Sequence, residues 1–446
     1  MRLAVVGTGH VGLVTCVTMA SVGHDVVGID ADAIKIDSIA NGIAPFFEPG
    51  LEEALNTELA SGRLRFTTDA RAAIEGAEVV FISVGTPPRA TGEANLIAVE
   101  DAARTVARYA TGPCVIAEKS TVPTGTARMI RRIITRERPD LAGSLEVVSN
   151  PEFLREGLAM HDALQPDRIV VGAESEWARE VMRRAYRPFV VQGADLIETD
   201  IATAELAKHA CNAFLALKIS FANAMARISE LSGANVELVT EVMGKDPRIG
   251  PAFLKAGIGY GGSCFPKDIQ ALRRVAETLG YDFPLLDEVQ RINDEAVDAV
   301  VTKVKAALWN LEDKKVALLG LAFKPGTDDI RFAPALAIAR RLIDEGTHVV
   351  GYDPIAGAHA QAEIPQLAVT TDPYDAIDGA HCAVVCTEWD EVATLDLERV
   401  RDLMQYPIVV DGRNLYDAIR MQALGFTYDA VGMPGAAEAL EVTPTA

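Results

Sequence analysis

The sequence predicts an α/β protein with two Rossmann-like doubly wound parallel-sheet domains joined by a central long helix, and three observations carry that prediction. An apolar run followed by a glycine-rich turn opens the chain at residues 2–12, and a similar unit recurs at 315–326. In both halves short Val- and Ile-rich runs alternate with helix-periodic segments, the pattern of a parallel sheet with crossover helices. Between the halves, residues 200–232 contain neither proline nor glycine. The expected divisions are 1–198, a dinucleotide-binding domain; 199–296, a central helical domain with a cysteine-bearing loop; and 297–446, a C-terminal α/β domain.

The first element is a buried strand at 2–6. Gly7-Thr8-Gly9-His10-Val11-Gly12, a helix to about Val22 and a second strand at 25–29 follow, the strand ending at Asp30. This is the G-x-G-x-x-G fingerprint in its required context: the first glycine makes the turn, the second admits a pyrophosphate, and the third packs helix on strand. A chance glycine turn is the plainer reading of the motif alone, and Asp30 discriminates. A carboxylate there accepts from ribose hydroxyls and repels a 2′-phosphate, so NAD is expected rather than NADP. Further strands are expected at 79–84, 114–119, 146–149 and 169–172. Three polar clusters close strand-like runs: Gly85-Thr86-Pro87, Ser120-Thr121-Val122-Pro123, and Asn150-Pro151-Glu152-Phe153-Leu154-Arg155-Glu156-Gly157. Ligands of open parallel sheets bind at the carboxyl ends of strands, so the three clusters should converge. Turn and cap chemistry accounts for Gly85 and Pro123 but explains Glu152 and Glu156 less well.

Residues 200–232 read as one helix, capped by Thr199 or Asp200 and ended by Gly233. It would span roughly 50 Å at about 1.5 Å per residue, wider than a small domain. Its apolar residues run nearly all round, so two domains or two subunits should enclose it, and a homodimer is expected. Lys208 and Asn212, four residues apart, share a helix face. A lysine snorkelling from a core is the ordinary explanation of Lys208 taken alone. His209 reads as structural.

The stretch Gly257 to Asp268 places Cys264 between a glycine-rich bend and a helix start, with Pro266 suited to the first turn. A free thiol has a pKa near ~8.5, and unpaired helix N–H groups lower it. A helix end contributes about 0.3–1 kcal/mol, less than one pKa unit, so a reactive Cys264 also needs a cation, with Lys267 adjacent and Lys208 a distant candidate. An inert cysteine in a glycine turn is the competing reading. The second α/β unit repeats strand, turn, helix and strand from 315 to Asp353 without the second glycine, and two more strands are expected at 383–387 and 408–410. Lys324, Arg331 and Arg413 at its strand ends suit a phosphate-bearing ligand, against a plain reading as solvated surface cations.

Composition bounds the partners. With 42 Lys+Arg against 63 Asp+Glu the net charge is −21, which argues against nucleic acid or an anionic membrane. Six cysteines without a C-x-x-C pair suggest a reducing cytoplasm, and no metal is expected. The apolar start is broken by glycines and does not read as a signal peptide, and no run reaches a membrane span.

Taken together, the motifs G-T-G-H-V-G, S-T-V-P, N-P-E-F-L-R-E-G, the Lys208/Asn212 pair, G-Y-G-G-S-C-F-P-K-D, L-A-F-K-P-G-T-D-D-I-R and D-G-R-N resemble the UDP-glucose/GDP-mannose dehydrogenase family over nearly the whole chain. The resemblance implies a two-step, four-electron oxidation of a nucleotide sugar at C6 with NAD, through a thiohemiacetal and a thioester on Cys264. It implies that Lys208 and Asn212 steady an oxyanion, that Asp268 orients Lys208 and water, and that Glu156 with Thr121, or else Glu152, serves hydrolysis. Cofactor contacts carry over to Gly7, Gly9, Val11, Gly12, Asp30, Lys35, Thr86, Thr121, Glu156 and Arg331. Sugar-nucleotide contacts carry over to Glu152, Phe153, Leu154, Arg155, Lys208, Asn212, Phe253, Lys255, Gly259, Lys324 and Arg413, with Arg248 reaching a partner subunit's site. Asn95, Leu158 and Ala333 depart from the family's usual aspartate, serine and serine. Ser263 and Phe265 resemble the branch that oxidises UDP-glucose; the alternatives are the GDP-mannose and UDP-N-acetylmannosamine branches, or a nucleotide-sensing scaffold without catalysis.

Overall fold

The computed structural model describes residues 1–89 and 91–434, so residues 435–446 of the expected C-terminal domain lie outside the described residues. The chain forms two compact units, one of residues 1–211 with 267–281, the other of residues 212–266 with the chain from 282 onward.

The first unit carries β1 (Arg2–Val6), β2 (Asp25–Ile29), β3 (Leu64–Thr67), β4 (Val79–Ile82), β5 (Cys114–Glu118), β6 (Leu145–Ser149), β7 (Arg168–Gly172) and β8 (Asp195–Thr199). They form one sheet in the order β3-β2-β1-β4-β5-β6-β7-β8. Leu3 and Val5 pack in one apolar cluster with Leu13, Val17 and Phe81, while Ala4 between them packs in another with Val27, Val80 and Ile82. Successive residues of a strand point to opposite faces, so both faces of this sheet are covered, and its central strands β1, β4 and β5 are mostly apolar. The sheet is not wholly parallel: β6 and β7 meet through an antiparallel bridge, Ser149 to Gly172. The ends of β4, β5 and β6 still point the same way.

The second unit carries β9 (Lys315–Leu319), β10 (His348–Tyr352), β11 (Ala368–Thr370), β12 (Cys382–Val385), β13 (Ile408–Asp411) and β14 (Thr427–Ala430), paired in parallel in the order β11-β10-β9-β12-β13-β14. Val316 and Leu318 face one core, Ala317 and Leu319 the other. The strands that sequence patterning did not mark are β3, β8, β11 and β14, the edge strands of the two sheets. An edge strand is covered on fewer sides and tolerates polar residues, so it lacks the continuous apolar run that marks the central ones.

The helix Ile201–Ser232 starts behind Asp200, whose Oδ1 accepts from the Thr203 N–H at 2.9 Å, and ends at Gly233 with φ +73°. It begins in the first unit and continues in the second. Its apolar surface is buried only in part: Ala204, Ala216, Ala222 and Ala226 are enclosed, whereas Phe214 is 62% and Ile228 55% exposed, and Leu206 and Phe221 also face outward. A second helix, Pro284–Leu308, runs through residues 296 and 297. Among the described residues no helix is long and apolar enough to cross a membrane.

Candidate active site

In the first sheet the chain leaves β1 toward β2 on one side, while β4 lies on the other, which opens a crevice at the carboxyl ends of β1 and β4. Gly7 occupies it at φ +95°, where a Cβ would come within 2.5 Å of the Ser83 carbonyl oxygen. At Gly12 a Cβ would lie 1.9 Å from the Gly7 carbonyl oxygen, so the helix His10–Ser21 can pack on the turn only without a side chain. Gly9 faces open space, no side chain caps this helix, and its first turn holds no acidic residue. An anionic pyrophosphate fits such a helix start.

Asp30 follows β2 and accepts through Oδ2 from the Thr8 N–H and hydroxyl, both at 2.9 Å, and through Oδ1 from the Asp32 N–H. Lys35 pairs with it. Burial pushes this carboxyl up, but the hydrogen bonds from Lys35, Thr8 and Asp32 outweigh it and hold its pKa below the ordinary value. The second sheet repeats the device at Asp353, which takes the Leu321 and Ala322 N–H groups at 2.7 and 2.9 Å. There the carboxylate also accepts from the Trp389 indole and from the Ile355 and Ala356 N–H groups, so it is spent on the fold itself.

The three polar clusters converge. The Thr86 hydroxyl donates to the Thr121 carbonyl, the Ser120 hydroxyl accepts from the Val84 N–H, and the Asn150 N–H donates to the Glu118 carbonyl. Beyond Asn150, Glu152 is buried, with Oε1 3.0 Å from Lys208 Nζ and Oε2 accepting from the Leu154 N–H. Phe153 lies beside this pair, with Lys208 Nζ 5.4 Å and the Arg168 guanidinium 4.1 Å from its ring centre. Arg155 is exposed and paired with Asp162, and Glu156 is half-buried two residues before Leu158, which is exposed. His209 is buried with Nε2 2.9 Å from the Val122 carbonyl oxygen, the structural place expected of it. Lys267 pairs with Asp268 at 2.6 Å, and Asp268 is fully buried.

Cys264 lies in the second unit immediately before the helix Phe265–Thr278. The glycines ahead of it are required less by a ligand than by the protein's own surroundings. A Cβ at Gly257 would come 2.8 Å from the Gly412 carbonyl oxygen, at Gly261 2.4 Å from the Phe332 carbonyl oxygen, and at Gly262 2.8 Å from the Phe323 ring. Gly259 has φ +95° and abuts Asn293. Two buried asparagines hold the loop: Asn223 accepts from the Gly257 N–H at 2.8 Å, and Asn293 exchanges hydrogen bonds with the Tyr260 backbone at 2.8 and 3.1 Å. The Phe265 ring contacts those of Phe253 and Tyr260.

The remaining candidates also lie in this unit. Asn212 is buried, and Phe253 has φ +63°. Arg413 Nε donates to the Cys386 carbonyl at 2.8 Å, Arg331 forms a fork on Asp329, and Lys324 Nζ sits 5.4 Å from the Phe323 ring centre. Lys255 and Arg248 are exposed, the latter clasped by Asp246.

Several residues of these sites escaped the sequence reading. Glu48 is buried and accepts from the Gly157 and Ala159 N–H groups, both at 2.7 Å, while lying 3.1 Å from His10 Nε2; it thereby ties the fingerprint to the loop of Glu152 and Glu156. Lys119 and Tyr186 form a second polar cluster with Asn150, which the sequence had already marked. A polar residue inside an apolar stretch, as at Asn223, is the one signal that could have pointed to any of them.

A dinucleotide fingerprint on one doubly wound sheet, with a second nucleotide-binding type of sheet and a cysteine-bearing loop, defines the class of dinucleotide-dependent dehydrogenases. The chain belongs to the UDP-glucose/GDP-mannose dehydrogenase family. Models of that family match its NAD binding domain to residues 1–190, its central domain to 202–295 and its UDP binding domain to 317–418. The chain is 44% identical to UDP-glucose 6-dehydrogenase YwqF of Bacillus subtilis, over 97% of this chain and 98% of the relative. It is 45% identical to the UDP-glucose 6-dehydrogenase of Rhizobium meliloti, over 97% and 100%. Among solved structures it superposes on a UDP-glucose dehydrogenase of Pyrobaculum islandicum with a TM-score of 0.88 and 38% identity, covering 97% of each chain. On a UDP-D-ManNAc dehydrogenase of Pyrococcus horikoshii the TM-score is 0.85 and the identity 29%, covering 97% and 99%.

Proposed function

We propose that this protein is an NAD-dependent dehydrogenase that oxidises UDP-glucose to UDP-glucuronate. The observation that carries this reading is the near-complete, 44–45% identical match to UDP-glucose 6-dehydrogenases, against 29% for the structure that acts on an N-acetylated sugar. Ser263 and Phe265 beside the cysteine point the same way.

Bound NAD⁺ supplies the acceptor for the hydride lost in each of the two oxidations. Gly7, Gly9, Val11 and Gly12 would receive its pyrophosphate, and Asp30 with Lys35 its ribose; Thr86, Thr121, Glu156 and Arg331 would complete its contacts. Cys264 Sγ adds to the C6 aldehyde to give a thiohemiacetal, whose oxidation leaves a thioester. Lys208 and Asn212 stabilise the oxyanion that develops at C6, and Asp268 orients Lys208 and water. Water then attacks the thioester carbonyl, its proton passing to Glu156 or Glu152, and the C–S bond breaks to give the carboxylate and the free thiol. Phe153, Leu154, Arg155, Phe253, Lys255 and Gly259 hold the sugar end, and Lys324 with Arg413 the uridine diphosphate. Holding the aldehyde as a covalent adduct prevents its escape between the two oxidations.

The protein acts as a homodimer in the cytoplasm. The outward stripe at Phe214, Phe221 and Ile228, seven residues apart on one helix, suits a second copy of itself, and Arg248 then reaches the partner's site. The test of the activity is the NADH released per nucleotide sugar consumed across a panel of UDP-glucose, GDP-mannose and UDP-N-acetylmannosamine. Two NADH per UDP-glucose is expected; a preference for either other sugar replaces the reading.

A further inference from the structure

We propose that Asp411 is a positioning residue for the dehydrogenase reaction. Its carboxylate fixes the Asp411-Gly412-Arg413 turn, and through that turn both the Arg413 guanidinium that meets the diphosphate and the glycine loop that carries Cys264. This inference rests on the dehydrogenase reading above. It gives the first residue of the D-G-R-N motif a task of its own, carried out wholly within the second unit.

Asp411 ends β13 and is fully buried. Its Oδ1 accepts from the Arg413 N–H at 2.9 Å. Its Oδ2 accepts from the Leu415 and Tyr416 N–H groups at 2.8 and 3.1 Å and from the Tyr428 hydroxyl at 2.7 Å. Four donors on one side chain suit a carboxylate, which only accepts and has about four lone-pair sites; an amide offers one oxygen and would turn its own N–H groups on these donors. The bonds fold the chain back directly behind the strand. Asp353 shapes a turn after β10 in the same way, so the fold alone would account for a buried carboxylate at such a place. Asp411 differs in what its turn touches.

The Gly412 carbonyl accepts from the Ile258 N–H at 3.1 Å, next to the Gly257 N–H that Asn223 holds at 2.8 Å. The fit has no slack. A Cβ at Gly412 would lie 2.3 Å from Ile258 Cγ2 and 2.7 Å from the Val385 carbonyl oxygen, and a Cβ at Gly257 would lie 2.8 Å from the Gly412 carbonyl oxygen and 3.4 Å from Arg413 Nη1. The same guanidinium is anchored through Nε on the Cys386 carbonyl at 2.8 Å, with Glu388 Oε2 3.3 Å away. Among the described residues its Nη1 donates to no protein group, which leaves that nitrogen for a phosphate oxygen. One turn therefore sets the diphosphate's cation and the entry of the loop that reaches Cys264 six residues after Ile258. A shift of the turn moves both, and for a nucleophile a misplacement of about 1 Å costs on the order of 100-fold in rate.

The test is steady-state kinetics with UDP-glucose and NAD⁺, and calorimetry with UDP, on the full-length wild type and Asp411→Asn. The variant should raise KM for UDP-glucose and weaken UDP binding by about tenfold, lower kcat by about tenfold, and move KM for NAD⁺ by less than about twofold. A rise in KM with kcat unchanged would confine Asp411 to Arg413 and overturns its link to Cys264. Equal losses on both substrates, or a lower urea midpoint with every kinetic constant unchanged, make Asp411 a residue of the fold only and overturn the proposal. If Asp411→Asn does not fold, Tyr428→Phe, which removes one of the four donors, should raise KM for UDP-glucose by about two- to threefold, and an unchanged KM overturns the proposal. If neither folds, hydrogen exchange of the wild type decides: UDP should slow the Gly257 and Ile258 amides together with those of Arg413, Leu415 and Tyr416. Slowing at 413–416 without 257–258 overturns the proposal. In each of these cases a wild type that binds UDP and oxidises UDP-glucose keeps the dehydrogenase reading; one that does neither overturns both.

Discussion

Lys208 Nζ lies 3.0 Å from Glu152 Oε1, with only 5% and 6% of the two side chains exposed. The lysine stands on the long helix and the glutamate in the loop after β6, so the pair joins elements more than fifty residues apart in sequence. Removing one member breaks a buried ion pair, which costs about 3–5 kcal/mol. Lys208→Met and Glu152→Gln should each lower stability by such an amount in urea unfolding. The double variant should recover most of that stability and none of the activity. Additive losses would show that the two charges are not coupled.

Asp30 is expected to decide between dinucleotides. NAD⁺ should be used far better than NADP⁺, and Asp30→Ser should narrow the gap because it frees Lys35 to meet a 2′-phosphate. The loss of its bonds to Thr8 should also cost about 1–3 kcal/mol. Ratios of kcat/KM for the two cofactors in both enzymes read the outcome, and an unchanged ratio would remove Asp30 from the choice.

Glu118 makes stability depend on pH. It is fully buried, and burial, helped by the field of Glu205 and opposed by hydrogen bonds from Ser120, raises its pKa from 4.5 to about 8. Below 4.5 both folded and unfolded states hold the proton; between 4.5 and about 8 only the folded state does. Stability therefore falls as pH rises through that window. Lys119 has the opposite sign, since a base with a lowered pKa makes folding more favourable as pH rises from about 8 to 10.5. Glu118→Gln should flatten the urea midpoint between about pH 5 and about pH 8, gaining most at the upper end. A slope equal to the wild type's would mean that Glu118 is ionised throughout.

Cys264→Ser separates nucleophile from packing. The variant should still bind UDP-glucose and NAD⁺, because the glycine loop and its two asparagines are untouched. Turnover to the acid should collapse, since a hydroxyl is the poorer nucleophile and an alkoxide the poorer leaving group. NADH release and intact mass report it. Full steady-state turnover in a folded sample would leave Cys264 as a packing residue.

Assembly is tested on the outward helix face. Phe221→Glu with Ile228→Glu should convert a dimer to a monomer in light scattering at micromolar concentration, because two charges would be buried in an apolar seam. A monomeric wild type would remove the dimer.

Both central sheet cores, the glycine fingerprint with Asp30, and the long helix were legible in the sequence. Each is a local pattern: an apolar run, a glycine spacing, a stretch without helix breakers. So was the cysteine's place at a helix start. What the sequence left open depends on which segments meet. The edge strands β3, β8, β11 and β14 carry no apolar signature of their own and form only because a neighbouring strand offers its unpaired backbone. The antiparallel turn at β7 and the exposed half of the long helix were likewise not readable from periodicity. Glu48, Lys119, Asn223 and Asn293 acquire their roles from partners 31 to 111 residues away. A buried polar group must find its hydrogen bonds somewhere, but the residue alone does not say where. Tertiary packing alone decided that Asp30 pairs with Lys35 while Asp353, at the same step of the second sheet, is consumed by the fold, where Trp389 and two further N–H groups close over its carboxylate.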